Sequence, residues 1–179
     1  MELLKKYYDY TLPNTESPVC MHRWSFLSCV AASLGRNFYL PFGHGVIYPN
    51  LLTLLVGAPA TRKTSAIRIA SRLLKNSGYI NVTDGKTSKE KFLEDFSDNF
   101  SFLQETKDSD DAFDFLGEDV NDSIRVSEIL IAAEEFQNFV GAGNAEFASI
   151  LGDLYDNKDS YHIRLKGGKS LSIANPTVS

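Results

Sequence analysis

The feature that most constrains the fold is an apolar run that leads directly into a glycine-led loop. Residues 51–56 read Leu-Leu-Thr-Leu-Leu-Val, and residues 57–64 read Gly-Ala-Pro-Ala-Thr-Arg-Lys-Thr. An unbroken apolar run is typical of a parallel strand buried on both faces. The residues after the loop are apolar at helical spacing, so the sequence predicts a strand, a tight loop and a helix. The start of such a helix presents free N–H groups and a positive dipole end to an anion.

This unit has the outline of a phosphate-binding P-loop. Lys63 is predicted to reach the β- and γ-phosphates of a nucleotide, and the Thr64 hydroxyl to bind Mg²⁺. Arg62 replaces the usual second glycine, and it either bends away from the phosphates or contributes its guanidinium to them. The alternative is an ordinary strand–turn–helix corner. The residues predicted to bind nucleotide are Gly57, Ala58, Pro59, Ala60, Thr61, Arg62, Lys63, Thr64 and Ser65.

A second apolar run, residues 126–133, ends in the adjacent acids Glu134 and Glu135. Open α/β sheets bind their ligands at the carboxyl ends of their strands. We therefore expect Glu134 to hold Mg²⁺ together with Thr64, and Glu135 to orient and deprotonate an attacking water. Two glutamates after a strand are unremarkable alone, but behind a P-loop they predict an ATP and Mg²⁺ site with Glu135 and Lys63 as its catalytic residues.

Composition limits the remaining possibilities. The chain has 179 residues and a net charge of −5, which argues against a wholly basic nucleic-acid binder and leaves room for a local basic strip. It contains neither an apolar run long enough for a membrane span nor the apolar core of a secretory signal at its N-terminus. Cys20 and Cys29 fall in one predicted helix, where they are expected to be buried free thiols. These features predict a cytoplasmic protein without a membrane segment.

We expect a helical lead-in over residues 1–45 and a core over residues 46–179. Ser17 and Pro18 are typical of a helix start, and Gly35 of its end. Within the core, residues 79–83 predict a second strand and residues 89–103 a helix. Its aromatic stripe, which is expected to be buried, consists of Phe92, Phe96 and Phe100.

Residues 105–122 form an acidic insertion that carries eight acids against one base, with Phe113, Phe115 and Leu116 embedded in it. Such a composition is typical of a solvated insertion loop. The alternative is an acidic-aromatic segment that docks on a basic partner. The sequence alone does not separate these two interpretations.

Residues 160–173 predict a β-hairpin, because two alternating runs flank Gly167 and Gly168. One face is apolar. The other is basic, and a hairpin at this place recurs in DNA-translocating ATPases, where its tip contacts the nucleic-acid backbone. The alternative is a plain surface hairpin kept soluble by its charges. The residues predicted to bind nucleic acid are His162, Arg164, Lys166 and Lys169.

The chain resembles the ATPase domain of phage and plasmid replication proteins, the primase-associated helicase-like ATPases. Four stretches carry the resemblance: residues 17–36, residues 48–51 running into the P-loop, residues 133–136, and residues 154–176. The resemblance implies an α/β P-loop NTPase fold, similar to the RecA and AAA+ proteins, with a three-layer core around a parallel sheet. Members often act as ring-shaped motors on DNA, so DNA and further copies of the chain are the implied partners.

Family members continue past the Asn-Pro corner into a sensor strand and later supply an arginine finger. Here residues 176–179 correspond to the start of that strand, so we expect a sheet that a second copy or a partner chain completes. Two functions follow. One is an ATP-driven motor domain for the replication of a mobile element. The other is a truncated, catalytically silent relative that acts as a binding or regulatory module.

Overall fold

The computed structural model describes residues 2–83, 85–103, 124–165 and 168–179. Over these residues the chain is mixed α/β, with helices packed on a small, mainly parallel sheet, which confirms the predicted α/β class. The acidic insertion predicted at residues 105–122 lies outside the described residues, as do Lys166 and Gly167.

The helices of the described residues are α1 (Glu2–Thr11), α2 (Val19–Leu34), α3 (Lys63–Asn76), α4 (Lys89–Asp98), α5 (Phe136–Val140) and α6 (Ala145–Tyr155). The strands are β1 (Leu40–Phe42), β2 (Gly45–Ile47), β3 (Val82–Thr83), β4 (Ser101–Leu103), β5 (Ile124–Ile131), β6 (Ser160–Arg164), β7 (Ser170–Ala174) and β8 (Pro176–Val178). Short 3-10 turns, Leu12–Asn14 and Gly35–Asn37, follow α1 and α2. The helix predicted after the loop therefore forms as α3, and the strand predicted over residues 79–83 forms over Val82–Thr83.

Strand β5 is the centre of the main sheet. It pairs in parallel with β3, where Val82 faces Leu130, and in parallel with β8, where Val178 faces Ile129. It also pairs antiparallel with β4. Residues 126–130 are buried, as expected for a strand covered on both faces. This position brings the end of β5, and the two acids that follow it, to the carboxyl edge of the parallel strands.

Two apolar clusters hold the helices to the sheet. The larger one lies between α4, α5, α6 and the β6–β7 hairpin, and its fully buried members include Phe96, Phe147, Leu154 and Ile173. The smaller one joins α1, α2 and α3 to β5 through residues such as Tyr7, Ala70 and Leu130. Because α3 packs directly on α2 and on β5, the helix after the loop is fixed relative to the end of β5.

A buried histidine ties α1 to α2. The His22 ring is hydrogen-bonded to the Tyr7 hydroxyl at 3.0 Å and to the Thr15 hydroxyl at 3.3 Å. Burial lowers the pKa of His22, so the neutral ring is favoured in this position. A polar contact in the interior of this part of the chain therefore holds α1 against α2.

The buried strand predicted over residues 51–56 does not form. Leu52, Leu54 and Val56 are 73–78% exposed, while the residues between them are half-buried. This alternation is that of an extended chain with one face on the molecule. The neighbouring β8 spans three residues and pairs with β5, while the Asn50 side chain donates to the Val178 carbonyl at 3.3 Å. The segment lies beside the sheet without strand pairing, so a three-layer P-loop core remains a prediction.

Two further predictions were wrong in detail. The helix predicted over residues 89–103 ends at Asp98, because residues 101–103 pair with β5 instead. Phe100 is consequently 42% exposed and lies 3.9 Å below the Arg125 guanidinium, rather than in the core. Of the two cysteines, Cys29 is buried as predicted and Cys20 is exposed.

None of the described helices has the length and apolar character that crossing a membrane requires.

Candidate functional site

The loop of residues 57–62 folds back on its own carbonyl groups. The Lys63 ammonium donates to the carbonyl oxygens of Gly57 at 2.8 Å and Ala58 at 3.2 Å. The Thr61 hydroxyl also donates to the Ala58 carbonyl, at 2.8 Å. The lysine therefore crosses the loop at the start of α3, where the helix dipole favours an anion. An anion entering the loop would compete with these two carbonyl oxygens for the Lys63 ammonium.

Gly57 lies where the loop packs closely against α2, so a larger residue there would require its neighbouring side chains to shift. A Cβ at this position would lie 3.0 Å from the Thr61 hydroxyl and 3.2 Å from the Met21 methyl group. Met21 is buried on α2 and had no role in the sequence-based prediction of the loop. The lead-in helix α2 thus forms one wall of the loop.

Arg62 bends away from the loop, which decides between the two alternatives for its side chain. Its guanidinium lies 3.2 Å from the Glu16 carboxylate, and both side chains are largely exposed. The Arg62 backbone is left-handed, with a φ of 56°, and Ala60 is also left-handed, with a φ of 66°. Residues other than glycine adopt this conformation at a cost, which explains why P-loops usually carry glycine at this point.

We expect Arg62→Gly to stabilise the fold by about 1 kcal/mol, because glycine relieves the left-handed backbone. The exposed pair with Glu16 that is lost stabilises the chain by a few tenths of a kcal/mol at most. The matched variant is Ala60→Gly, which relieves a similar φ without removing an ion pair. Chemical denaturation of both variants measures the effect, and a clear loss of stability in Arg62→Gly alone would mean that the Glu16 contact outweighs the strain.

The end of β5 brings Glu134 to helix α3. The Glu134 carboxylate accepts a charge-assisted hydrogen bond from Arg68. Residues one turn apart on a helix share a face, so Arg68 and Thr64 lie on the same side of α3. The fold therefore places Glu134, about 70 residues later in the chain, on the helix face that carries Thr64.

The donor chemistry fits a hard divalent cation. A threonine hydroxyl and a carboxylate are oxygen ligands of the kind that Mg²⁺ prefers, with water and phosphate oxygens completing the shell. In the described part of the chain, no three His, Cys, Asp or Glu side chains cluster as a complete protein-only metal site. Mg²⁺ commonly binds through one or two protein ligands and a phosphate, so two donors suffice for this cation.

Glu135 is the N-cap residue of α5, and its carboxylate accepts a hydrogen bond from the Asn138 side chain. The side chain is exposed. Among the described residues, this hydrogen bond is local to α5 and does not join Glu135 to Lys63 or Thr64. The predicted catalytic role of Glu135 stays a prediction.

A buried polar cluster surrounds Arg36, and no sequence pattern predicted it. The Arg36 backbone N–H donates to the Glu128 carboxylate at 2.7 Å. The guanidinium donates to the Thr177 hydroxyl at 3.0 Å, the Asn175 side chain at 3.1 Å and the Lys158 carbonyl at 2.8 Å. The cluster fastens β8 and the Gly35–Asn37 turn to β5.

Burial raises the pKa of the Glu128 carboxyl, while the Arg36 amide and guanidinium oppose that shift. One signal in the sequence could have revealed the cluster. Glu128 is a lone acid inside an apolar strand, and a buried acid requires a donor or a cation from elsewhere in the fold.

The predicted hairpin forms between β6 and β7. Leu165, Leu171 and Ile173 are buried on its inner face. The Leu165 N–H donates to the Lys169 carbonyl at 2.8 Å, and Gly168 takes a φ of 86°, which meets the predicted need for a left-handed residue in the turn.

The three described basic residues of the hairpin do not form one group. His162 and Arg164 are exposed on the outer face, opposite Ser172 and Ser170 respectively. Lys169 instead forms an ion pair with Glu94 of α4, at 2.8 Å. Lys166 lies outside the described residues. The outer face of β6 and β7 is therefore the polar surface that His162 and Arg164 share.

The fold and the positions of these residues define the class of the protein only coarsely, as a mixed α/β chain with a small parallel sheet. Neither a protein-family model, nor a curated protein, nor a solved structure matches the chain. The chemistry of the loop, of α3 and of the end of β5 is therefore the basis for inferring its function.

Proposed function

We propose that this chain binds a nucleoside triphosphate, with ATP and Mg²⁺ as the expected pair, at residues 57–65. One observation carries the proposal. The Glu134 carboxylate contacts Arg68 on the face of α3 that also bears Thr64. Helix α3 begins with Lys63 and directly follows the loop. An anion-binding helix start, a cationic side chain and a carboxylate from a parallel strand are the parts that phosphate-bound Mg²⁺ requires.

Each residue then has a defined task. The amide groups at the start of α3 orient the phosphates, and Lys63 exchanges the Gly57 and Ala58 carbonyls for phosphate oxygens. Thr64 and Glu134 hold Mg²⁺, which when bound neutralises charge on the phosphates. Glu135 orients the attacking water and accepts its proton.

We propose that the larger role is the motor domain of a helicase-like ATPase in mobile-element replication. The resemblance of the residues supports it, together with the exposed His162–Arg164 face as a surface for DNA. The second candidate is a catalytically silent binding module. The exposed apolar side chains of residues 52, 54 and 56 favour it, because a strand of the catalytic core is expected to be buried there.

Two measurements test these proposals. Titration with a fluorescent ATP analogue, with and without Mg²⁺, tests nucleotide binding, and absence of binding in both conditions contradicts the proposal. ATP turnover with and without single-stranded DNA separates the two roles. The motor predicts turnover that DNA stimulates, and the silent module predicts binding without turnover.

The hairpin makes a separable prediction for DNA. We expect Arg164→Ala to weaken single-stranded DNA binding several-fold and to reduce the salt slope of the logarithm of the binding constant by roughly 0.7, the value for one lost phosphate contact. Lys169→Ala should change binding little, because Lys169 is paired with Glu94. Fluorescence anisotropy at several salt concentrations measures both. A loss confined to Lys169→Ala would place the contact at the hairpin tip, and no change in either variant would mean a plain surface hairpin.

A further inference from the structure

The ion pair between Arg68 and Glu134 occupies the carboxylate that the cation would need. The Arg68 side chain is 71% exposed and the Glu134 side chain 39% exposed. Arg68 follows Thr64 by one turn of α3, so its guanidinium is on the metal-facing side of the helix. In the structure, therefore, the positive charge that faces Glu134 belongs to the protein itself.

A guanidinium and a divalent cation compete for one carboxylate. Both are positive, so binding Mg²⁺ beside a paired Arg68 brings like charges together and also requires Glu134 to change partners. Arg68 can leave at little cost, because its long side chain is mostly in solvent and is not packed in either apolar cluster. Exposed ion pairs of this kind are weak enough to be displaced by a ligand.

We propose that Arg68 is the counter-ion of Glu134 when no cation is bound, and that it thereby sets the Mg²⁺ concentration at which this site binds nucleotide. This inference rests on the proposed function. Arg68 neutralises Glu134 when the cation is absent and swings into solvent when the cation binds. The opposite role, in which Arg68 holds Glu134 in the orientation that binds the cation, predicts an effect of opposite sign.

The test is a Mg²⁺ titration of binding to a fluorescent ATP analogue. We expect Arg68→Ala to lower the Mg²⁺ concentration for half-maximal binding about fivefold, since one competing charge at an exposed site is removed. Arg68→Lys should stay near the wild-type value. Arg72→Ala is the matched control, because Arg72 is exposed one turn further along α3 and should leave the value unchanged.

Each result decides a different point. An unchanged or increased Mg²⁺ requirement in Arg68→Ala overturns the counter-ion role, as does an equal decrease in Arg68→Ala and Arg72→Ala, which would reflect overall charge. Wild-type binding that Mg²⁺ does not promote contradicts the proposed cation site itself, and the counter-ion role with it. Mg²⁺-promoted wild-type binding together with an unaltered Arg68→Ala leaves the proposed function standing and removes only this inference.

Discussion

Replacing Arg36 with alanine is expected to destabilise the fold by about 3–5 kcal/mol, the typical cost of removing one partner from a buried charged network. The guanidinium is buried and donates to four groups: the Thr177 hydroxyl, the Asn175 side chain, and the carbonyls of Lys158 and Pro176. Alanine leaves those acceptors without this donor and removes a positive charge that favours the ionised form of Glu128. Chemical denaturation of the two proteins measures the loss.

The pH dependence of this loss has a definite sign. Arg36 opposes the burial-induced rise in the pKa of Glu128, so removing it raises that pKa further. A carboxyl whose folded-state pKa is raised contributes stability that is lost as pH increases through that value. The destabilisation by Arg36→Ala should therefore be larger at about pH 8 than at about pH 5.

Glu128→Gln is the matched control for Arg36→Ala. The glutamine side-chain oxygen can still accept from the Arg36 amide, the variant carries no buried carboxylate, and Arg36 keeps the acceptors of its guanidinium. We expect it to cost far less stability than Arg36→Ala. Equal losses in both variants, or a loss in Arg36→Ala that does not depend on pH, would contradict the idea that Arg36 compensates the Glu128 charge.

Local sequence signals predicted most of the elements. Ser88 accepts a hydrogen bond from the Lys91 amide at 3.2 Å, as a helix cap should, and residues 160–174 form the predicted hairpin. The prediction of a buried strand over residues 51–56 was wrong, and the local pattern of apolar residues does not contain the reason. A buried strand needs a neighbour of matching length, and the neighbouring β8 spans three residues.

The site could be predicted in part. The loop, Lys63 and the two acids were found because their types and spacing carry the chemistry. Three other features depend on distant contacts: the wall formed by Met21, the pairing of Arg62 with Glu16, and the contact between Arg68 and Glu134. Exposed cations on a helix face usually indicate solvation, so nothing in the sequence singled out Arg68.

Lys63→Ala is expected to weaken nucleotide binding about 100-fold, because a charge-assisted contact to phosphate is lost at a helix start. The fold should be nearly unaffected. Among the described residues, the Lys63 ammonium donates to the carbonyl oxygens of Gly57 and Ala58, both of which are exposed residues. Thermal unfolding of the variant checks that expectation, so a loss of binding can be assigned to the missing ammonium group.

The most direct test of the account is equilibrium binding of a fluorescent ATP analogue, in the presence of Mg²⁺, to the wild-type chain, Lys63→Ala and Arg72→Ala. The account predicts saturable binding to the wild type, the same binding to Arg72→Ala, and about 100-fold weaker binding to Lys63→Ala. Equal binding to all three proteins, or binding to none of them, would contradict a nucleotide site at residues 57–65.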